Sequence, residues 1–327
     1  MPTLLSGIKP TGTVHLGNYL GFFRPALRLT EERRLLFIAD VHSLNTQLDP
    51  ERLRSLSLDL AATFLALGVD PERDILYRQS DIPEIFEVAC VLSAVTPKGA
   101  MNRAHAYKAA VAGNREAGRP DDDAVNMGLY TYPVLMSADI LALGGDLVPV
   151  GRDQQQHVEI ARDLAIAFNH RYGPVLRVPE VVVDERTATV PGTDGRKMSK
   201  SYDNVIPLFA TPEELRRLIA RIRTDSRGPG EPKDPDTCPV FSLHRNFATP
   251  AEVDDLRRRY LEGIGYAEAK AALLAAVDRE LAPVRERYLA LRADEAGLRR
   301  ALDDGAGRAR EVAGETVRAV RRAVGTG

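Results

Sequence analysis

Short apolar runs alternate with amphipathic stretches along the first half of the chain. The apolar runs predict strands at Thr3–Ile8, Leu35–Ala39 and Asp74–Tyr77, and a further one at 146–151 (DLVPVG). Apolar residues at helical spacing fill intervals between them, at Leu16–Glu32 and Pro50–Leu67. Because parallel strands need crossover connections, which are usually helices, this alternation favours an α/β fold with a doubly wound parallel sheet.

The second half of the chain is mostly helical in pattern. One helix is expected to begin near Pro133, and another, after DLVPVG, ends at Gly173. Almost every residue from Thr211 onward follows a helical spacing of apolar positions. The pattern therefore divides the chain into an α/β domain, residues 1–204, and a helical domain, residues 205–327.

A polar stretch rich in Gly and Asp interrupts the helical pattern that runs over residues 83–112. Residues 113–124 (GNREAGRPDDDA) predict a mobile surface loop. Consecutive aspartates do not converge on one point, so we interpret them as a solvated acidic surface rather than a metal site.

Composition excludes several classes of protein. The chain of 327 residues has 44% apolar residues, a net charge of −2 and two cysteines, Cys90 and Cys238. These values exclude a disulfide framework, a Cys-x-x-Cys metal site and a general polyanion binder. Since the chain has no long uncharged apolar run and no signal-peptide pattern, we expect a cytoplasmic protein that does not bind membranes.

The stretch SGIKPTGTVHLGN, residues 6–18, connects the first strand to the first helix. Bare backbone N–H groups in such a Gly-rich turn suit a phosphate or polyphosphate. The two common nucleotide-loop patterns, G-x-G-x-x-G and G-x-x-x-x-G-K-[ST], are both absent. Taken alone, this stretch fits a plain strand-to-helix connection equally well.

A second stretch, GRKMSKS at residues 195–201, interleaves two lysines with two serines. Lys197 and Lys200 would bring positive charge and hydrogen-bond donors to a polyphosphate, and a loop can close over such a ligand when needed. A generic basic surface loop is the alternative. The earlier TVHLGN segment in the same chain favours the phosphate interpretation.

Together these two stretches resemble the signature motifs of class I aminoacyl-tRNA synthetases, HLGN at residues 15–18 and KMSKS at residues 197–201. With TYPVLMSADIL (131–141) and VPVGRDQQQHVEIARDLAIAFN (148–169), the chain resembles the bacterial tryptophanyl-tRNA synthetases over nearly its whole length. The resemblance implies a Rossmann-like catalytic domain that joins L-tryptophan to ATP, releases pyrophosphate, and passes the aminoacyl group from the adenylate to tRNA(Trp).

The resemblance also implies the partners and the domain roles. Mg2+ would be bound through the ATP phosphates, with no separate metal site on the protein and no DNA partner. Residues 83–130 would form a helical insertion at the interface of a homodimer. The helical domain would bind the anticodon, with its last helix packing back on the catalytic domain.

The ATP site that the resemblance implies draws on three segments of the chain. Catalytic roles fall to His15, Asn18, Lys197 and Lys200. Nucleotide contacts fall to Lys9, Pro10, Thr11, Gly17, Asn18, Gly151, Arg152, Asp153, Val190, Lys197, Met198, Ser199, Lys200 and Ser201. Lys9 departs from the family, because many relatives carry glutamine there, and its extra charge is expected to change nucleotide binding or inhibitor sensitivity.

The implied amino-acid site centres on Asp139 as acceptor of the indole N–H. Its other members are Gly7, His42, Tyr132, Met136, Val148, Val150 and Gln154, with Tyr132 and Gln154 holding the ammonium group. Met136 and Asp139 are three residues apart, so they share a helix face. A capping or ion-paired role for Asp139, and a plain core role for Met136 and the valines, are the alternatives.

Three other functions remain open. They are a tyrosyl-type synthetase of the same architecture, a nucleotidyltransferase that binds no RNA, and a synthetase-like regulatory paralogue. The strand sequence TLLSGI and the helix sequence LMSAD favour tryptophan over tyrosine.

Overall fold

Five parallel strands form one sheet in the computed structural model, which describes residues 2–28, 33–46, 49–151, 154–183 and 190–327. The strands are β1 (Thr3–Ile8), β2 (Arg33–Ile38), β3 (Ile75–Arg78), β4 (Leu147–Val150) and β5 (Glu180–Val183). Their order in the sheet is β3-β2-β1-β4-β5, and every neighbouring pair is parallel. The predicted doubly wound α/β fold is confirmed, and β2 and β3 differ from their predicted bounds by one or two residues.

The direction of strand addition reverses between β1 and β4. The chain adds β2 and β3 on one side of β1, and then returns to the other side for β4 and β5. At this reversal β1 and β4 pair at Leu4 and Leu147. Parallel sheets of this kind bind ligands in the crevice outside the carboxyl ends of the strands where the order reverses.

Helices surround the sheet and form the rest of the chain. Those of the first part are α1 (Leu16–Asn18), α2 (Arg24–Arg28), α3 (Pro50–Ala66), α4 (Pro83–Ser93), α5 (Lys98–Asn102), α6 (His105–Glu116), α7 (Met127–Ala142) and α8 (Gln155–Tyr172). Those of the second part are α9 (Pro212–Ala220), α10 (Pro239–His244), α11 (Pro250–Leu261), α12 (Tyr266–Ala293) and α13 (Glu295–Val324). Within the described ranges, no helix has both the length and the apolar character needed to cross a bilayer.

Two predicted helices are interrupted. The stretch expected over Leu16–Glu32 consists of α1, a π-helical turn at Tyr19–Phe23 and α2, and residues 29–32 lie outside the described residues. The stretch expected over 83–112 divides into α4, α5 and α6. Apolar spacing continues through a wider turn or a tight corner, so spacing alone does not detect such breaks.

Two predicted boundaries are also wrong. The loop expected over 113–124 starts later, because α6 continues to Glu116. Helix α7 begins at Met127 instead of near Pro133, because the Asn126 side chain accepts the Leu129 N–H at 2.8 Å and caps the helix one and a half turns earlier. Pro133 is therefore accommodated inside α7.

The acidic loop is held by its own neighbours. Asp121 forms two hydrogen bonds with Arg115, at 2.8 and 2.7 Å, and Asp122 accepts the Tyr107 hydroxyl at 2.7 Å. Asp123 lies 3.4 Å from Arg119. Each aspartate thus has a different partner.

Alternate strand residues face two hydrophobic cores. Leu4, Leu36 and Leu76 belong to one cluster, which extends into the helical part through residues such as Leu243 and Leu273. The other cluster takes the residues of opposite parity, among them Leu5, Leu35 and Tyr77, together with apolar residues of α4, α7 and α8. The first core therefore runs without interruption from the sheet into the helices beyond residue 204.

The last helix, α13, packs against the outer strand β3 and against α4. At Gly305 the helix approaches so closely that an added Cβ atom would lie 1.8 Å from the Leu76 carbonyl oxygen. Buried alanines, including Ala309 and Ala313, continue this small-residue face. Arg321 adds two hydrogen bonds of 2.6 Å to Glu87 of α4.

The close approach at Gly305 predicts an inverted effect of a helix-favouring substitution. Glycine to alanine inside a helix normally stabilises by about 0.5–1 kcal/mol. At Gly305 the new methyl group would force α13 away from β3, so we expect Gly305→Ala to lower the free energy of unfolding by more than about 1 kcal/mol. Gly307→Ala is the matched control, since nothing lies within 4 Å of its added Cβ atom. The free energy of unfolding of both variants would be measured by denaturant unfolding. Equal changes in Gly305→Ala and Gly307→Ala would contradict this packing.

Candidate active site

A cavity of about 240 Å³ opens at the carboxyl ends of β1 and β4, where the strand order reverses. All eight residues predicted for amino-acid binding line it: Gly7, His42, Tyr132, Met136, Asp139, Val148, Val150 and Gln154. Lys9 and Gly151, predicted for the nucleotide, also line it. The structure thus brings together residues from four separate segments of the chain.

The floor of the cavity depends on a missing side chain. At Gly7 an added Cβ atom would lie 2.3 Å from the ring of Phe37, which is stacked on Tyr77 with ring centroids 5.7 Å apart. The aromatic ring therefore takes the space that a side chain at position 7 would need. Only glycine at this end of β1 leaves both the ring and the cavity in place.

Asp139 is a buried carboxylate at one wall of the cavity, with 0% of its surface exposed. Its Oδ2 atom lies 2.9 Å from Nε2 of His42, and its Oδ1 atom accepts a hydrogen bond of 2.8 Å from Nε2 of Gln79. A buried carboxylate without donors would be costly, and these two contacts supply one donor to each oxygen. Each oxygen keeps a second acceptor position.

The electrostatic environment of Asp139 contains opposing effects. Burial raises the pKa of the Asp139 carboxyl, and the hydrogen bond and charge of His42, together with the hydrogen bond from Gln79, lower it. Asp40, at the end of β2, adds a like charge that also raises this pKa. The donors beside the Asp139 carboxyl therefore favour its ionised form, which is the better hydrogen-bond acceptor.

Tyr132, on α7, and Gln154 both line the cavity. The Tyr132 hydroxyl is hydrogen-bonded to Nε2 of His157 on α8, and the two rings are 4.9 Å apart. His42 contacts the same tyrosine edge-on, at 6.2 Å between ring centroids. Gln154 immediately precedes α8. These contacts fix the tyrosine ring between two histidines.

The turn that follows β1 is closed by a reciprocal cap. Nδ1 of His15 accepts the Asn18 backbone N–H at 3.3 Å, while the Asn18 side chain accepts the His15 N–H at 3.2 Å. Burial, and secondarily the charge of Lys200, lower the pKa of His15 to about 4. Because Nδ1 accepts a hydrogen bond, the neutral ring carries its proton on Nε2. Nε2 is therefore a hydrogen-bond donor even though the ring is uncharged.

The KMSKS segment lies directly on this turn. The Met198 sulfur accepts the Gly17 backbone N–H at 3.3 Å, and the Lys200 ammonium approaches the position of a Cβ atom on Gly12 to 3.5 Å. Gly12 has φ +126°, a conformation that favours glycine. The two motifs predicted to share a phosphate ligand are thus in contact.

Asn204 holds the KMSKS segment in shape. This residue is 1% exposed; its side chain donates to Asp194 and to the Lys197 carbonyl at 2.7 and 3.0 Å, and it accepts the Ser199 N–H at 2.8 Å. Lys197 and Lys200 remain exposed at the surface of the segment. The backbone is therefore fixed while the two ammonium groups are available to a ligand.

The other residues predicted for the nucleotide are distributed around this contact. The Lys9 carbonyl accepts the Thr11 N–H at 2.9 Å, next to the buried Pro10. The Ser199 and Ser201 hydroxyls lie 2.9 Å apart. The Val190 carbonyl accepts the Met198 N–H at 2.8 Å. The predicted contacts at Arg152 and Asp153 lie outside the described residues.

Sequence reasoning missed three polar residues of the site: Gln79, His157 and Asn204. Gln79 is one of four successive polar residues, RQSD at 78–81, at the end of β3, which is an ordinary strand end in any sequence. His157 follows Gln154 by three residues on one helix face, and that spacing was a usable signal. Asn204 follows KMSKS closely, but its three hydrogen bonds depend on the folded loop.

The described part of the chain contains no cluster of three or more His, Cys, Asp or Glu residues whose geometry could hold a metal ion.

The depressed pKa of His15 predicts a pH effect on stability. Between about pH 4 and the ordinary value of 6.5, the unfolded chain binds a proton that the folded chain does not. The stabilisation is therefore complete above pH 6.5 and is lost as the pH falls towards about 4. We expect His15→Gln, which keeps an acceptor but cannot titrate, to reduce the loss of unfolding free energy in this interval. Equal pH dependence of both proteins in denaturant unfolding would contradict the neutral, buried His15.

Comparisons with known proteins agree with the geometry. A family model for class I tRNA synthetases (W and Y) matches residues 1–282. The tryptophan–tRNA ligase of Pseudomonas aeruginosa is 51% identical over 98% of this chain and 73% of its own length. That of Neisseria meningitidis is 47% identical over 98% of this chain and 97% of its own length.

Solved structures are similar over the same extent. The tryptophanyl-tRNA synthetase of Campylobacter jejuni, complexed with ADP and tryptophan, has a TM-score of 0.88 at 38% identity and covers 99% of both chains. A tyrosyl-tRNA synthetase of Archaeoglobus fulgidus, at 22% identity and a TM-score of 0.66, shares the fold. The resemblance stated from the motifs is therefore confirmed, and the chain belongs to the class I tRNA synthetase family for tryptophan and tyrosine, within its tryptophan–tRNA ligases.

Proposed function

We propose that the cavity and the adjoining turn are the two halves of one active site, which activates L-tryptophan with ATP and charges tRNA(Trp). The observation that carries this proposal is a buried carboxylate, Asp139, in an apolar cavity that continues into a Gly-rich turn covered by KMSKS. Relatives about 50% identical over nearly the whole chain support the same reaction.

The cavity suits an indole ring for reasons of shape and polarity. Met136, Val148 and Val150 supply apolar walls, and Asp139 supplies an acceptor for the one polar atom of indole. A side chain without a donor would leave the buried carboxylate partly unpaired, which discriminates more strongly than a change in size. Tyr132 and Gln154, which also line the cavity, would hold the ammonium group.

Catalysis then needs positioning and charge stabilisation more than a nucleophilic side chain. The tryptophan carboxylate attacks the α-phosphorus of ATP, and pyrophosphate leaves with its oxygens carrying the negative charge. His15 donates a hydrogen bond from Nε2 as a neutral imidazole, and Lys197 and Lys200 follow the leaving pyrophosphate. Mg2+ would be held by the ATP phosphates and water and would help to neutralise their charge. The 2′-hydroxyl of the terminal adenosine of the tRNA next attacks the aminoacyl carbonyl of the adenylate, and AMP leaves.

The remaining assignments concern assembly and RNA. We infer a homodimer whose interface includes the helical insertion 83–130, supported by exposed apolar side chains at Phe86 (36%) and Met127 (68%). The helical domain, 205–327, would bind the anticodon. The reaction would take place in the cytoplasm, where its ATP and tRNA substrates occur.

Amino-acid-dependent ATP–pyrophosphate exchange, measured with every standard amino acid, tests this function. We expect exchange with tryptophan only, and Asp139→Asn to lower kcat/KM for tryptophan by about 10- to 100-fold, the value of a hydrogen bond to a charged group. Exchange that depends on tyrosine would indicate the tyrosyl alternative. The absence of any dependence would indicate a regulatory paralogue or another nucleotidyltransferase.

Lys9 gives a separate prediction. Lys9 lines the cavity, and desolvation by the surrounding protein disfavours its charged form and lowers its pKa. Because a neighbouring anion stabilises a desolvated ammonium, we expect Lys9 to pair with the ATP phosphates. Replacing a charged donor with a neutral one costs about 1 kcal/mol, so Lys9→Gln should raise the KM for ATP about 5-fold and change that for tryptophan less. Lys9→Arg, which keeps the charge, is the control. Unchanged KM values in Lys9→Gln would remove the proposed role.

A further inference from the structure

We propose that Gln79 is a positioning residue for substrate selection: its amide fixes the Asp139 carboxylate so that one acceptor position faces the indole N–H. Gln79 itself is fully buried and is not among the residues that line the cavity. It therefore acts through Asp139 and does not touch the substrate. The inference rests on the proposed function, since it concerns the same site.

The orientation of the Gln79 amide is fixed at both ends. Its Oε1 atom accepts the backbone N–H of His42 at 3.3 Å, so the opposite end, Nε2, must be the donor to Asp139 Oδ1. His42 in turn contacts Asp139 Oδ2 through its ring, at 2.9 Å. Gln79, His42 and Asp139 thus form a closed ring of three hydrogen bonds, in which moving one member disturbs the other two.

The backbone of Gln79 is also held in place. It begins a 3-10 turn, Gln79–Asp81, immediately after β3. The next residue, Ser80, donates its backbone N–H to Asp40 at 3.0 Å and its hydroxyl to the same carboxylate at 2.5 Å. Because Asp40 follows the last residue of β2 by two positions and Gln79 directly follows β3, the ends of both strands fix the point from which the Gln79 side chain extends.

A second buried donor lies near this ring of hydrogen bonds. Tyr77, on β3, precedes Gln79 by two residues; it is fully buried, and its hydroxyl has no hydrogen-bond partner in the described residues. Burial and the Asp139 charge raise the pKa of Tyr77, so the hydroxyl keeps its proton. The hydrogen bond to Asp139 Oδ1 comes from Gln79 and not from this hydroxyl, so without Gln79 that oxygen would lose the donor that fixes it.

A pair of substrates separates positioning from simple structural support. Benzothienylalanine has nearly the shape of tryptophan, with sulfur in place of the indole N–H, so it gains nothing from a well-placed acceptor. Pyrophosphate exchange would be measured with both amino acids for the wild type, Gln79→Leu, Gln79→Glu and Asp139→Asn. Thermal unfolding of each variant would show that it is folded.

We expect Gln79→Leu to lower kcat/KM for tryptophan about 10-fold, mainly through KM, and to change that for benzothienylalanine less than about 2-fold. Tyr77→Phe, which removes a buried hydroxyl two residues before Gln79, is the matched control and should keep the ratio of the two substrates. Equal losses for both substrates in Gln79→Leu, or the same change of ratio in Tyr77→Phe, would overturn the inference.

The Gln79→Glu variant adds a pH readout, which is informative even if the fold does not tolerate leucine at position 79. Two carboxylates at this distance must share a proton, and only the protonated form restores a donor to Asp139. We expect tryptophan exchange by this variant to rise, relative to wild type, as the pH falls from about 8 to about 6. A pH profile of Gln79→Glu that runs parallel to the wild-type profile would contradict the inference.

Failure of the proposed function would look different. If the wild type used both amino acids equally well and Asp139→Asn changed neither, Asp139 would have no role towards indole, and the role of Gln79 would be overturned with it. If Asp139→Asn reduced the preference for tryptophan while the Gln79 variants kept it, only the inference about Gln79 would be wrong.

Discussion

The hydrogen-bonded burial of the Asp139 carboxylate is the constraint on which the site depends. An ionised group without exposed surface costs several kcal/mol unless donors replace its water. Three elements supply this environment: α7 carries the carboxylate, the segment after β2 carries His42, and the end of β3 carries Gln79. Because these elements meet only in the folded sheet, the acceptor proposed for the indole N–H exists only when the fold is complete.

The reversal of strand order places this carboxylate beside the turn that we propose binds the ATP phosphates. β1 ends at the floor of the cavity and continues into the Gly-rich turn, so one short segment serves both halves of the site. Backbone pairing of Leu16 with Ile206 and of Val14 with Leu208 ties that turn to the chain that follows KMSKS. The KMSKS segment is thereby anchored close to the cavity proposed for the amino acid. A reaction that joins a carboxylate to a phosphate requires the two sites to be close together.

Much of the fold was predictable because its signals are local. Strands buried on both faces are short apolar runs, so β1 was predicted at its observed bounds, and the eight residues predicted for amino-acid binding line the cavity as a group. The breaks at the π-helical turn and before α5 were missed because apolar spacing continues through them. Gln79 and Asn204 were missed because their importance lies in partners that are distant in space or set by a loop. The contact at Gly305 needed the position of β3, which the sequence of α13 does not contain.

The most direct test of the account observes the indole N–H itself. The protein contains no tryptophan, so substrate tryptophan labelled at the indole nitrogen gives the only indole signal in an NMR spectrum of the complex. If Asp139 accepts the indole N–H, binding shifts this resonance downfield and slows the exchange of its proton with water, and Asp139→Asn reverses the shift. A bound resonance at the position of free tryptophan, or one unaffected by Asp139→Asn, would contradict a hydrogen bond between Asp139 and the indole.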